Sequence, residues 1–265
     1  MSQPAVAALA PLPFELVYSD GEPLESDWHA RQIHLLQDLI PEAMAEQGRT
    51  DYFVGGNMFV YYSREQAREV WEEVTKRRQK RTARGPDVFW VEGIDPDRER
   101  EAWVAWEEDG RLPDVIFELL SPKTEETDRT TKKQIYQDIF RTAEYFLCDP
   151  RKKTLEGFRL IGGVYQPIAP DAQGRLPSER LGVTVTFWRG LAKTKVRDWV
   201  RLFRPDGTLV PTPEEREEAE RRRADAERQR AEAEHRRAEA AEQRADAAEA
   251  EIARLRALLG EQGRG

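Results

Sequence analysis

The spacing of apolar positions changes several times along the chain, and each change predicts an element. Phe14–Tyr18 is a short apolar run closed by the polar Ser19-Asp20-Gly21, which predicts a strand and a turn. From about Asp27 to Gln47, Ile33, Leu36, Ile40 and Met44 recur at helical spacing, with Asp27 as N-cap and Gly48 as stop. Residues 52–62, YFVGGNMFVYY, are apolar and aromatic about a central Gly-Gly and suit a strand or hairpin. GPDVFWVEG at 85–93 predicts a short buried strand, and residues 101–107 and 114–120 a second strand pair about the Glu108-Asp109-Gly110 turn. From about Thr127 the period changes: Ile135, Tyr136, Ile139 and Phe140 form one stripe, predicting an amphipathic helix over 128–143. EYFLCDP, TLEGFRL, GVYQPIA and GVTVTFW are then strand-like, each ended by Pro, Gly or polar residues. Strands, a helix and more strands predict an α/β or α+β domain with a mixed sheet.

After Pro213 the pattern becomes helical to about Leu259. Ala224, Ala231, Ala238, Ala245, Ile252 and Leu259 are spaced by seven, and Ala241, Ala248 and Leu255 fill the position three residues later. Glu227 and Glu234 take that position in earlier heptads and weaken the seam. The expected organisation is a flexible N-terminus over 1–13, a globular domain over 14–210 and a charged, Ala-rich helix over 211–265. The helix reads as a weak coiled coil joining copies, a dimer through 214–259, anchored by Ile252, Leu255, Leu258 and Leu259. A solvated single helix held by pairs such as Glu217–Arg221, Glu218–Arg222 and Glu232–Arg236 is the alternative.

Composition supports that division. Residues 211–265 carry 12 of the 42 Lys/Arg and 15 of the 50 Asp/Glu but none of the seven Trp, so the aromatic bulk lies in the domain. No run approaches the ~18 apolar residues of a membrane span, and MSQPAVAALAPLPF lacks the basic leader of a secretory signal. A lone Cys148 excludes a disulfide framework and a cysteine-built zinc site and fits a reducing cytoplasm. With only His29, His34 and His235, a metal site must be built from carboxylates. A net charge of -8 argues against non-specific coating of nucleic acid, though a local basic patch can still bind DNA.

Two Pro-Asp pairs open strand-like segments, Pro86-Asp87 and Pro113-Asp114. The second segment contains Glu118 among Ile116, Phe117, Leu119 and Leu120. Burying a carboxylate there costs several kcal/mol unless a cation or hydrogen bonds meet it; otherwise Glu118 lies on the wet face of an edge strand. Lys132 and Lys133 precede the apolar stripe of the next helix. Tyr136 lies one turn after Lys132, and Asp128 one turn before it, placed to orient it or cap the helix.

The string PDVIFELLSPKTEETDRTTKKQIYQDIF, preceded by GPDVFWV and followed by EYFLCDPRKKTLEGFRL, resembles the Uma-two family. GEPLESDWHARQIHLL matches that family's N-terminal strand–turn–helix, and the resemblance spans roughly residues 14–203. It implies a restriction-endonuclease-like fold of the PD-(D/E)XK superfamily: a mixed sheet flanked by helices. It implies a Mg²⁺- or Mn²⁺-dependent DNA endonuclease, with Asp87 and Glu118 as metal-binding acids helped by the main-chain carbonyl of Leu119. The superfamily lysine would stand where Leu120 is found, so the resemblance moves it to Lys132, with Lys133 the near alternative. Tyr136 would hold that lysine or a phosphate oxygen. Glu25 and His29 match a region that adds polar groups to the site, although His29 is equally read as a helix cap. Asp114 replaces Asp87 if the strand register differs. The run KRRQKRTAR would place Lys76, Arg77, Arg78, Lys80, Arg81 and Arg84 on the DNA backbone, or else form a solvated loop. A catalytically silent scaffold is the reading from another class, and an enzyme of RNA or a small phosphoester would share the site.

Overall fold

The computed structural model describes residues 10–19, 24, 26–76 and 85–262 and divides into two units, Met1–Thr212 and Pro213–Gly265. In chain order the first unit begins with α1 (Asp27–Glu46), β1 (Tyr52–Gly56), β2 (Val60–Tyr61), α2 (Arg64–Thr75), β3 (Val88–Glu92) and β4 (Trp103–Val104). It continues with β5 (Val115–Leu119), a helical run α3 from Glu125 to Phe140, β6 (Glu144–Asp149) and β7 (Thr154–Ile161). It ends with β8 (Val164–Pro167), β9 (Leu176–Ser178), β10 (Val183–Ala192) and β11 (Lys195–Phe203). The second unit is one helix, α4 (Pro213–Gln262).

The predicted mixed α+β domain is what forms. Its main sheet has the order β1-β3-β5-β6-β7-β8, and every pairing is antiparallel except β5 with β6. A parallel pair needs a crossover, and α3 is that crossover. Side chains of successive strand residues point to opposite faces, and both faces here are covered. Val88, Trp90, Val115, Phe117, Phe146 and Cys148 pack toward α1 and the sheet β11-β10-β9. Phe89, Val91, Ile116, Tyr145 and Leu147 pack on the other side with Tyr136 and Phe140 of α3. Strands buried on both faces read as unbroken apolar runs, which is why β3, β5 and β6 were visible in the sequence.

Several local expectations are corrected. Phe14–Tyr18 forms no strand; Val17 is tied instead by its N–H to the Tyr61 hydroxyl, which donates to the Val17 carbonyl, and Phe14 stacks on Trp71. The cap of α1 is Ser26, whose side chain accepts the His29 N–H, so Asp27 lies inside the first turn. Gly48 does end α1, left-handed at φ 69°. Residues 52–62 are not a hairpin, because β1 pairs with β3 while β2 pairs with β4. Nor do residues 101–107 and 114–120 pair together; β5 lies between β3 and β6.

Helix α2, capped by Ser63 onto the Gln66 N–H, and strand β11 were not predicted. Residues 1–9 of the expected flexible N-terminus lie outside the described residues. Among the described residues, no helix is long and apolar enough to cross a membrane.

Candidate active site

The site begins at a carboxylate in the middle of the main sheet. Glu118 is the fourth residue of β5, a central strand, and only 1% of it is exposed, so it is not on a wet edge. Strand alternation sends it to the side of Ile116 and Leu120, beneath α3. There the two Glu118 oxygens are taken by two donors from the same helix: Lys132 Nζ at 2.9 Å and the Tyr136 hydroxyl at 2.8 Å. Lys132 also lies 3.0 Å from Asp128 Oδ1, an ion pair without hydrogen-bond alignment.

The helix geometry explains why three residues spaced by four converge. In a regular α-helix a four-residue step overshoots a full turn by about 40°. In α3, α turns at Glu125–Thr127 and Lys133–Ile135 alternate with wider π turns at Asp128–Lys132 and Tyr136–Phe140. The wider turns offset the drift, so Asp128, Lys132, Tyr136 and Phe140 form one row facing the sheet. Such π turns recur at functional sites.

Asp87 reaches the cluster from the residue before β3. Its Oδ2 accepts the Leu119 N–H at 2.7 Å, which binds it to the residue following Glu118. Its Oδ1 lies 2.9 Å from His29 Nε2. A carboxylate only accepts, so Nε2 carries the proton in this contact. His29 is therefore an Asp87 partner and not the cap of α1. Asp87 and Lys132 keep 18% and 16% of their side chains exposed, against 1% for Glu118 and Asp128. The first two form the mouth of the site and the last two its floor.

Burial pushes the Glu118 carboxyl well above its usual range; the Lys132 charge opposes this, while Asp128 and Asp87 add to it. Burial acts against the Lys132 ammonium too, but Glu118, Asp128 and Asp87 outweigh it and hold the lysine charged to higher pH than usual. For Asp87, burial is overcome by His29, Lys132 and the Leu119 N–H, leaving its carboxyl below the usual range. Tyr136 is pushed well up by burial and the Glu118 charge, so it remains a donor.

The other predicted residues are more scattered. Lys133 faces away, its ammonium 3.3 Å from the centre of the Phe158 ring. Asp114 precedes β5 and accepts the Glu92 N–H at 3.0 Å, four residues and roughly 13 Å along the strand from Glu118. Leu119 supplies its N–H to Asp87. Lys76 ends α2, paired with Glu72 at 3.4 Å. Glu25, Arg77, Arg78, Lys80, Arg81 and Arg84 lie outside the described residues. Tyr145 was missed: its buried hydroxyl donates to the Asp128 carbonyl at 2.9 Å, fixing the turn that carries Lys132. The signal was present, since Tyr145 and Leu147 alternate onto the face of Ile116.

Three carboxylates around one ammonium leave the cluster rich in negative charge, and its donors are hard oxygens of the kind Mg²⁺ prefers. Among the described residues no three acidic, His or Cys side chains are gathered to hold an ion alone.

The family model described as "Uma2: Putative restriction endonuclease" matches residues 9–193. Among solved structures, a putative nuclease belonging to DUF820 from Anabaena variabilis ATCC 29413 is similar at 17% identity and a TM-score of 0.39, covering 62% of this chain and 81% of that one. No curated protein matches the chain.

Proposed function

This chain belongs to the Uma2 family of putative restriction endonucleases, and from that membership we propose that it is a metal-dependent endonuclease of DNA, active at the Asp87–Glu118–Lys132 cluster. The observation that carries the proposal is the Lys132 ammonium, buried between Glu118 and Asp128 and opening beside Asp87. A structural ion pair has no need of a third carboxylate fixed to the neighbouring strand.

Asp87 and Glu118 would hold Mg²⁺ or Mn²⁺, with the Leu119 carbonyl as a further oxygen. When bound, the ion polarises a phosphate oxygen and lowers the pKa of attached water. Lys132 keeps its proton at neutral pH, so it serves less as a base than as a fixed positive charge facing the negative charge that develops on the phosphate oxygens. Tyr136 and Asp128 position it, the first through Glu118 and the second directly. His29 holds one oxygen of Asp87 and thereby its orientation. Two such sites in a dimer would cut both strands of a duplex. The location fitting this reading is the cytoplasm.

Plasmid nicking by the purified chain in Mg²⁺ or Mn²⁺ tests the reading. Glu118→Ala and Lys132→Ala are each expected to lower the rate by about 10²-fold or more, while Lys133→Ala stays near wild type. Nicking that survives both of the first two substitutions would remove the assignment. Wild-type protein that cuts neither DNA nor RNA would favour the silent scaffold, a reading for which the full engagement of the Glu118 oxygens by protein donors is the specific support.

A further inference from the structure

The β10–β11 hairpin takes no part in the chemistry above, yet its tip has an unusual surface. Leu191 and Val196 are direct partners in its register and are 62% and 61% exposed. The turn beyond them includes Lys193 and Thr194, both left-handed at φ 48° and 67°. Two-residue hairpin turns of that conformation favour Asn-Gly, and a β-branched residue there is strained. The tip is held against α1: Lys193 pairs with Asp38, and Arg31 donates to the Lys193 carbonyl.

Cations flank both faces of the tip. By strand alternation Arg189 shares the face of this apolar pair and binds Asp198, to which Lys153 of the β6–β7 turn is also paired. Lys195 and Arg197 project from the opposite face toward Asp27, which Arg31 of α1 also binds, and Lys193 stands in the turn. Among the described ion pairs these six meet three carboxylates, Asp27, Asp38 and Asp198. The hairpin tip as a whole, both faces together, carries surplus positive charge on a chain whose net charge is -8. It is tied to the candidate site through α1. Asp27, which binds Lys195, and Trp28, whose Nε1–H donates to the Asp198 carbonyl, immediately precede His29. Lys153 follows β6, whose Cys148 is the register partner of Leu119.

We propose that the β10–β11 hairpin is the element that grips duplex DNA, with its cations on the phosphates and Leu191 and Val196 against the groove. This rests on the endonuclease reading above, for which it supplies the substrate contact. A two-stranded ribbon fits the major groove of B-DNA, cations on phosphates supply most of the sequence-independent affinity, and apolar side chains contact or wedge base edges.

Fluorescence anisotropy of a short labelled duplex with the full chain in EDTA, across a salt series, separates the parts. Arg189→Gln/Arg197→Gln is expected to flatten the plot of log K against log salt by about 0.9 per lost phosphate contact. Leu191→Ser/Val196→Ser is expected to raise Kd several-fold with the slope unchanged. Wild-type affinity and slope in both double variants would overturn the proposal. So would an unchanged Kd with a lower solution mass for Leu191→Ser/Val196→Ser, since a second copy would then cover the pair. Hairpin-dependent binding with no cleavage in Mg²⁺ would sink the endonuclease reading and leave the hairpin proposal standing.

Discussion

The Glu118 carboxyl is the residue on which charge, stability and chemistry meet. Its pKa in the folded chain lies well above the ordinary one because it is buried beside Asp128 and Asp87. Between the unfolded value of about 4.3 and the raised folded value, the folded state holds more protons. That contribution to stability is complete below the unfolded value and is lost as pH rises through the folded one. Gln cannot ionise, so the melting temperature of Glu118→Gln relative to wild type should become more favourable as pH rises from the unfolded value through the raised folded one. A difference independent of pH, followed by circular dichroism, would contradict the burial argument. The same residue shows what the sequence could reveal. An acid inside VIFEL must be met by a partner, and Lys132 and Tyr136 stand at helical spacing downstream, so that part was legible from local order. The contact between His29 and Asp87 spans 58 residues and depends on how α1 lies across the sheet. Only the family resemblance brought His29 near the site, and nothing in the spacing predicted the Leu119 N–H on Asp87.

At the scale of elements, the site depends on β3 entering the sheet at one depth, and Gly85 controls that entry. A Cβ at Gly85 would lie 2.0 Å from the Met58 carbonyl oxygen, a backbone atom that cannot rotate away. The Asn57 N–H bonds the Asp87 carbonyl at 2.8 Å, so the crossing chain and the catalytic candidate move together. Gly85→Ala should therefore cost about 1–3 kcal/mol by overpacking, measured by denaturant unfolding, and should lower cleavage along with stability. A cost within about 0.5 kcal/mol, the usual size of a surface substitution, would show the crossing is loose. The element errors have one physical source. Hydrophobic period identifies a strand but not its partner: β1 pairs with β3 and β2 with β4, and Gly55 and Gly56, where a hairpin was one expectation, instead admit Phe89 and Gln37 at close range within and beside β1. Helix α2 was overlooked beside the basic run, although Ser63 and Gln66 form a capping signal. Phe14–Tyr18 has the composition of a strand but bonds through the Tyr61 side chain, leaving no ladder to join.

For the whole molecule, the proposed association through α4 would decide how many sites act together. Its 50 residues span about 75 Å at 1.5 Å per residue. Its own stabilisation comes from pairs such as Arg221–Glu217 and Arg236–Glu232, which contribute ~0.2–0.5 kcal/mol each. A helix that is polar nearly all round is either sustained by such pairs or completed by another copy. The heptad seam is mostly alanine up to Ala245, which buries little area; the larger side chains, from Ile252 onward, are concentrated at the end. The side chain of Ile252 is 49% exposed in the single chain, the condition a second copy would relieve. Association through α4 should then be weak, dependent on protein concentration and dominated by the last two heptads. Removing residues 213–265 should give a folded monomer by sedimentation equilibrium, and removing only 246–265 should weaken the dimer nearly as much. If the first truncation keeps the oligomeric state of the full chain, copies are joined through Met1–Thr212. If only the second keeps the dimer, the alanine seam suffices and the terminal leucines serve another purpose. Because a duplex break needs two cuts, the monomeric truncation should nick a plasmid at a rate close to that of the full chain while linearising it much more slowly. That split between nicking and linearisation connects the helix to the chemistry without requiring any contact between them.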